Sequence, residues 1–285
     1  MRDYRERYGE WALILGASQG LGRAIAAEAA RRKLNLVMVA RREAPLIEAA
    51  REIEAELGIQ TKTLAMDMAR DDIVDAIEAG LGGIDIAFMV YNAAAEPHGE
   101  FLEQDVATHL ENIAVNCTTP TLLVHHFGRK MVARGRGGIV ICSSLAADQG
   151  IYSYVTYGAA KAYEMILGEG LWEELRHHGV DATALMVGST YTPNFRESQR
   201  KKGTLFADSP APEGIAEGIP LPQLPEDAAA SLFAQIDGEW LPRIFANPRD
   251  EQNAIANRDK SRVEMIMRMG DAMRTGWRKP MDPVG

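Results

Sequence analysis

The amino-acid sequence predicts an α/β fold: a doubly wound parallel sheet of about seven strands with helices on both faces. Three observations carry that expectation. Short apolar runs alternate with amphipathic stretches along the chain, and strands that alternate with helices pair in parallel beneath helical layers. The run Leu34-Asn35-Leu36-Val37-Met38-Val39-Ala40 is almost wholly apolar, as a central parallel strand must be. The first strand runs straight into a glycine-rich turn, Gly16-Ala17-Ser18-Gln19-Gly20-Leu21-Gly22, and then into a helical pattern.

Taken in order, Trp11-Ala12-Leu13-Ile14-Leu15 reads as a short buried strand, set at 11–16. Arg23-Ala24-Ile25-Ala26-Ala27-Glu28-Ala29-Ala30 falls within a helix at 20–32. Further strands are expected at 34–40, 61–66, 84–91, 137–143, 180–187 and 240–246, from runs too short and too apolar for surface helices. Helical periodicity places helices at 43–57, 70–80, 105–133, 155–178, 226–236 and 250–275. The segment 194–225 differs. It holds Pro210, Pro212, Pro220, Pro222 and Pro225 with Gly203, Gly214 and Gly218, and long loops in compact domains usually carry function. No internal repeat or low-complexity tract interrupts the pattern.

The chain has 285 residues, 46% of them hydrophobic. That suits a single doubly wound domain over 1–285, with a C-terminal helix and tail from 250 to 285. The net charge of −9 argues for solubility and against nucleic acid as a partner. Cys117 and Cys142 lie in apolar segments without C-x-x-C spacing, so they read as core thiols. The N-terminus is charged and lacks the apolar run of a secretory signal. No stretch approaches the roughly 20 apolar residues of a membrane span. A cytoplasmic location is therefore expected.

Tyr157 and Lys161 stand at i and i+4, on one face of a helix. A free phenol titrates near pH 10, too high for easy proton exchange at neutrality, and a cation beside it favours the phenolate. Ser144 ends the apolar run Gly138-Ile139-Val140-Ile141-Cys142-Ser143-Ser144, thirteen residues before Tyr157. With Asn116 these residues form one candidate catalytic set. The glycine turn supplies the context: strand, glycine turn and helix together make a dinucleotide site. Its glycines let the backbone approach a pyrophosphate, and the helix N-terminus offers N–H groups to that charge. No cluster has metal-ligand spacing, so no metal is expected.

With these motifs in place, the chain resembles the short-chain dehydrogenase/reductase family over about residues 9–195, in its single-domain branch with the spacing G-x-x-x-G-x-G. The landmarks follow in family order. Asp67, with Met68 beside it, resembles the adenine contact. Tyr91-Asn92-Ala93-Ala94 stands where the family has N-N-A-G. Asn116, Ser144 and Y-x-x-x-K come next, and Val187-Gly188-Ser189-Thr190-Tyr191-Thr192 stands where the family has P-G-x-x-x-T. The resemblance implies a Rossmann-like fold and hydride transfer between a nicotinamide and a carbonyl or secondary alcohol. It makes Tyr157 the general acid, with Lys161 tuning it and bonding the nicotinamide ribose. Ser144 holds the carbonyl oxygen, and Asn116 holds a water linking Lys161 to solvent. Gly16, Ser18, Gln19, Gly20, Leu21, Gly22, Asn92, Ala93, Ala94, Gly188, Thr190 and Thr192 become cofactor contacts, together with Tyr157 and Lys161. Three positions depart from the pattern: Leu15 for Thr, Ala94 for Gly and Val187 for Pro. Ala94 demands a backbone without positive φ.

The tip of the second strand reads Val39-Ala40-Arg41-Arg42. It lacks the acid that would bond a free ribose 2′-OH, and arginine matches phosphate oxygens. NADP(H) is therefore expected over NAD(H), with Arg41 the main contact and Arg42 secondary. Gln19 stands where NADP-preferring relatives often carry a second basic residue, so NAD(H) remains possible. The 194–225 segment takes the place of the family's substrate lid. Tyr8-Gly9-Glu10-Trp11 and the 43–57 helix give some likeness to the hydroxysteroid-dehydrogenase and 3-oxoacyl-reductase side of the family, hence an apolar small-molecule substrate. The helices at 105–133 and 155–178 resemble those that build the family's oligomers, so a homodimer or homotetramer is expected. The alternative is a non-catalytic NADP(H)-binding redox sensor of the same fold.

Overall fold

The computed structural model describes residues 3–202, 208 and 221–275. Its strands are β1 (Trp11–Leu15), β2 (Asn35–Ala40), β3 (Thr61–Ala65), β4 (Ile86–Tyr91), β5 (Gly137–Ser144), β6 (Val180–Val187) and β7 (Arg243–Phe245). They form a seven-stranded sheet in the order β3-β2-β1-β4-β5-β6-β7, every pair parallel. The chain winds outward from β1 to β3, then returns past β1 and winds the other way. The order thus reverses between β1 and β4, and loops leaving the carboxyl ends there diverge to open a crevice.

The helices are α1 (Tyr4–Arg7), α2 (Gly20–Arg31), α3 (Glu43–Leu57), α4 (Ile73–Leu81), α5 (Val106–Ile113), α6 (Thr119–Arg134), α7 (Val155–Leu175), α8 (Pro193–Lys202), α9 (Pro225–Ile236), α10 (Pro248–Ala256) and α11 (Arg262–Thr275). β2 and β4 are buried at every position, which their unbroken apolar sequences allow. Alternate strand residues feed two cores. Ala12 and Ile14 pack with Ile25, Leu46 and Phe233, whereas Leu13 and Leu15 pack with Ile77, Leu123 and Phe127. Among the described residues no helix is long and apolar enough to cross a membrane.

The sequence expectations hold closely for the first six strands and for the helix at 43–57, while the strand expected at 240–246 is the three-residue β7. Four other stretches differ. The helix expected at 105–133 is α5 and α6 joined by a π-helical turn, Ala114–Thr118. The helix expected at 250–275 is α10 and α11. Between them Asn257-Arg258-Asp259-Lys260-Ser261 offers nothing apolar to bury, and Ser261 Oγ accepts from Glu264 N at 3.1 Å to start α11. α1 has no counterpart in the periodicity, being one turn that Asp3 caps through Glu6 N. α8 lies inside the segment read as loop, where Thr192 Oγ1 accepts from Phe195 N at 3.1 Å. The rest of that segment, up to residue 220 and apart from Asp208, lies outside the described residues, as does the tail beyond 275.

α1 fastens the N-terminus by aromatic packing. Tyr4 and Tyr8 are buried, each with its ring centroid 5.5 Å from that of Phe88. Phe233 and Trp240 each pack against Phe88 with centroids 6.2 Å away. The Tyr8 hydroxyl donates to Asp181 Oδ2 at 2.8 Å, and Arg7 donates to the same oxygen at 2.7 Å. Truncating a buried aromatic removes its transfer free energy and leaves a cavity. Tyr4→Ala is therefore expected to cost roughly 3–5 kcal/mol of stability, read as a fall in the urea midpoint at constant m-value; an unmoved midpoint would show that this cluster is not integral to the core.

Candidate active site

The glycine turn closes at the sheet's reversal point. Gly16 N and Ala17 N both donate to Val39 O, at 2.8 and 3.1 Å, tying the turn to the end of β2. Gly16 has φ +80° and Gly20 φ +55°, a backbone region that favours glycine. A Cβ on Gly22 would lie 2.0 Å from Gly16 O, and one on Gly16 would lie 2.9 Å from Ala93 N. No side chain caps α2, and Gln19 bonds elsewhere, its Nε2 donating to Asn194 Oδ1 at 2.7 Å. The first turn of α2 therefore offers its N–H groups to an anion. Leu21 is buried and Ser18 half-buried beside it.

Other sequence-predicted contacts gather at the carboxyl ends of neighbouring strands. Arg41 and Arg42 follow β2 and are exposed, with Arg41 Nη1 4.0 Å from Glu111 Oε1. Asp67 follows β3, where its Oδ1 accepts from Ala69 N at 2.9 Å. Met68 is buried beside it and its carbonyl accepts from Thr119 Oγ1 at 2.6 Å. Asn92, Ala93 and Ala94 follow β4, with Asn92 N on Leu15 O at 3.2 Å. Ala94 keeps a negative φ, as its side chain requires. Beyond β6, Thr190 Oγ1 donates to Gly188 O at 3.0 Å, and Thr190 bridges to Gln223. A Cβ on Gly20 would lie 2.8 Å from Thr192 Cγ2, so the start of α8 leans on the start of α2.

The proposed proton-transfer residues converge from three elements. α7 lies close on the sheet because glycine faces it: a Cβ on Gly168 would lie 2.8 Å from the Ala184 Cβ. Ser143 Oγ pins it further by donating to Lys161 O at 2.7 Å. Tyr157 thereby comes near enough to the end of β5 for Ser144 to act on its phenol, and the Ser144 Oγ accepts from Ala146 N at 3.1 Å. Asn116 lies fully buried in the π-helical turn. Its amide pairs both ways with the Ala95 backbone, accepting from N at 3.0 Å and donating to O at 2.8 Å. The Tyr91 hydroxyl donates to Val115 O in the same turn, as expected where the wider helical turn frees a carbonyl.

Lys161 faces differently from the expectation. Its Nζ donates to Cys142 O at 2.9 Å and to Glu164 Oε2 at 2.6 Å, and lies 5.8 Å from the Tyr157 ring centroid. The net shift of the Tyr157 phenol is nonetheless upward. Burial pushes it well above the ordinary phenol range, Glu96 and Glu164 add to the rise, and Ser144 opposes it. Burial lifts the Glu164 carboxyl to about 7 against the pull of Lys161, and lifts the buried Cys142 thiol to about 12.

Three neighbours escaped the sequence reading. Tyr154 stacks at a tilt beside Tyr157, centroids 5.8 Å apart, and meets the His98 ring at 4.9 Å. Glu96 acts electrostatically on both tyrosines. Neither Tyr154 nor Glu96 belongs to a local motif. Glu164 did leave a signal: it is i+3 from Lys161 and i+7 from Tyr157, on the same helix face.

A dinucleotide fits this arrangement. The cradle exists because hydrogen rather than Cβ occupies Gly16, Gly20 and Gly22, its helix N-terminus lacks a side-chain cap, and two arginines stand exposed at the next strand end. Comparison with known proteins agrees. Residues 10–203 match the short chain dehydrogenase family. A 7beta-hydroxysteroid dehydrogenase of Clostridium sardiniense is 30% identical over 268 residues, 94% of this chain and 97% of that protein. A solved structure from a study of 7beta-hydroxysteroid dehydrogenase stereoselectivity superposes with TM-score 0.83 at 28% identity, covering 94% of this chain and 99% of the other. L-sorbose reductase of Gluconobacter frateurii, solved with NADPH and L-sorbose, gives TM-score 0.72 at 25% identity, with 84% and 95% covered. Sheet order, glycine cradle and these matches together establish that the chain belongs to the short-chain dehydrogenase/reductase family and is a nicotinamide-dependent oxidoreductase acting on CH–OH or ketone groups.

Proposed function

We propose that this oxidoreductase uses NADP(H) and interconverts a ketone and a secondary alcohol on an apolar substrate of the steroid class, with Tyr157 exchanging the proton. The observation that carries the reading is the convergence of Tyr157 on α7 with Ser144 at the end of β5, near the glycine cradle. The relatives named 7beta-hydroxysteroid dehydrogenase support the substrate class. Gly16, Ser18, Gln19, Gly20, Leu21 and Gly22 would hold the pyrophosphate. Asp67 and Met68 would border the adenine, Asn92–Ala94 and Gly188–Thr192 the nicotinamide half, and Arg41 with Arg42 the 2′-phosphate. When bound, the nicotinamide supplies or accepts the hydride.

The chain's own residues manage the proton. In reduction Tyr157 Oη donates to the developing alkoxide, and its raised affinity for the proton keeps it in the phenol form needed by an acid. Ser144 Oγ bonds the substrate oxygen and fixes its place beside Tyr157. Lys161 reaches this set from behind, and Asn116 braces the 92–95 turn through Ala95. Tyr154 packs its ring beside Tyr157, and His98 packs against Tyr154 in turn.

A spectrophotometric screen of NADPH and NADH against steroids, other ketones, aldehydes and 3-oxoacyl thioesters tests the reading. Wild-type protein is expected to turn over a steroid with NADPH, and Tyr157→Phe to lose at least about 100-fold in kcat at unchanged cofactor affinity. Unchanged turnover would remove Tyr157 from the mechanism. Equal kcat/KM for the two cofactors would sink the Arg41 assignment, and tight NADPH binding without turnover would favour a redox sensor.

We read the 194–225 segment as a closing element, because α8 starts against the glycine turn through Thr192 and the Gln19–Asn194 bond. Asn194→Ala is expected to raise the cofactor KM about two- to ten-fold, the worth of one hydrogen bond, with kcat nearly unchanged; an unmoved KM argues against closure. We also infer a homodimer or homotetramer. Val106, Leu110 and Ile113 of α5 and Val155, Tyr163 and Ile166 of α7 are exposed, and contiguous apolar surface marks association. Light scattering is expected to return a multiple of 31.2 kDa; a monomer would overturn it.

A further inference from the structure

Behind the candidate site lies a charge pair that the oxidoreductase motifs do not include. Glu164 is completely buried on α7, one turn beyond Lys161, and Lys161 is 2% exposed. The two meet at 2.6 Å between Nζ and Oε2. The second Glu164 oxygen, Oε1, is buried without a hydrogen-bond partner among the described residues. A carboxylate at this depth carries a large desolvation cost, which only a close cation offsets. An apolar residue would have packed here at no such cost, so the position is electrostatically expensive for a purely structural role.

The pair also fixes where the Lys161 charge goes. Its ammonium is held by Cys142 O and Glu164, with 5.8 Å between Nζ and the Tyr157 ring centroid. The remaining titratable groups around the pair are neutral in ordinary conditions. They are Tyr91 on β4, Cys117 in the π-helical turn and Cys142 on β5. Tyr157 is faced in addition by Glu96 from the loop after β4, with Tyr154 beside it.

We propose that Glu164 is a positioning residue for the reaction: it takes the Lys161 ammonium into a closed ion pair, so that Tyr157 is backed by a neutral pair rather than by a free cation. This rests on the reading of Tyr157 as the proton-exchanging residue. The consequence is a bias in the state of the phenol. With Glu164 ionised, the positive charge that would stabilise phenolate is cancelled, and Tyr157 stays protonated to higher pH. That suits the acid role in ketone reduction and slows the base role in alcohol oxidation above the pH at which Glu164 ionises.

Removing the Glu164 charge while keeping Lys161 reverses the bias. Glu164→Gln, with Glu164→Met as a second charge-free side chain of similar length, is expected to move the alkaline rise of kcat/KM for oxidation of a 7β-hydroxysteroid by NADP⁺ at least one pH unit toward acid. That is about a ten-fold gain in oxidation rate at a fixed pH below the rise. Ketone reduction should begin to fail at correspondingly lower pH. Glu164→Asp keeps the charge and should retain the wild-type profile. A second readout needs no turnover. Ultraviolet titration of the phenolate in cofactor-free protein, each form measured against its own Tyr157→Phe partner, should show Tyr157 ionising at lower pH in Glu164→Gln and Glu164→Met. Folded variants whose pH profile and phenolate titration both match wild type would overturn the proposal. If Tyr157→Phe itself retains turnover, the underlying reading fails instead; if that variant is inactive while Glu164→Gln is unmoved, only the role of Glu164 falls.

Discussion

A Cβ at Gly22 would sit 2.0 Å from the Gly16 carbonyl oxygen, so the unit that joins β1 to α2 closes only with hydrogen at that position. Much of the molecule's organisation follows from this approach. It brings the N-terminus of α2 to the carboxyl end of the central strand, where the sheet order reverses and neighbouring loops part. It lets the turn reach across to Val39 on one side and Ala93 on the other. The positive end of the helix then faces the crevice with no side chain in its way. Strands β2, β3, β4 and β6 deliver their own loops to the same edge because parallel strands all point there. The binding edge is thus a consequence of parallel pairing plus one place where backbones touch.

A second close approach sets the chemistry. Gly168 lets α7 settle onto β6, and Ser143 pins the Lys161 carbonyl. Tyr157, Lys161 and Glu164 then fall at three successive depths along one helix face. The outermost of the three lies near Ser144 at the end of β5. The inner two are sealed beneath it, where charge is costly and pairing compulsory. The same helix therefore carries the proposed proton donor at its outer end and a buried ion pair behind it.

The π-helical turn between α5 and α6 connects these two regions. The extra residue in the turn redirects Asn116 inward, where its amide holds both backbone groups of Ala95. Asn112 donates to the same carbonyl at 2.7 Å. The loop after β4 is consequently fixed from behind, with Ala93 in front against Gly16 and Glu96 a few residues on, acting on Tyr157.

Much of the fold and most of the candidate site were legible in the amino-acid sequence. Alternating apolar and amphipathic stretches determined the parallel sheet, because burial on both faces leaves an almost continuous apolar signature in β2 and β4. The glycine spacing determined the cradle, since each glycine answers a local steric demand. Tyr157 and Lys161 were readable as a pair because helical spacing is local. The tertiary structure decided what local spacing cannot. It held Lys161 on Glu164 and the Cys142 carbonyl, with its ammonium 5.8 Å from the Tyr157 ring centroid, since a buried charge goes to its strongest available partner. It brought Glu96 and His98, from a loop some sixty residues earlier, to Tyr157 and its neighbour Tyr154. It broke the expected helices at 114–118 and 257–261, where Asn116 was drawn to Ala95 and a polar run had nothing to bury. Periodicity records which face of an element is apolar; it does not record which polar groups will meet once those faces close.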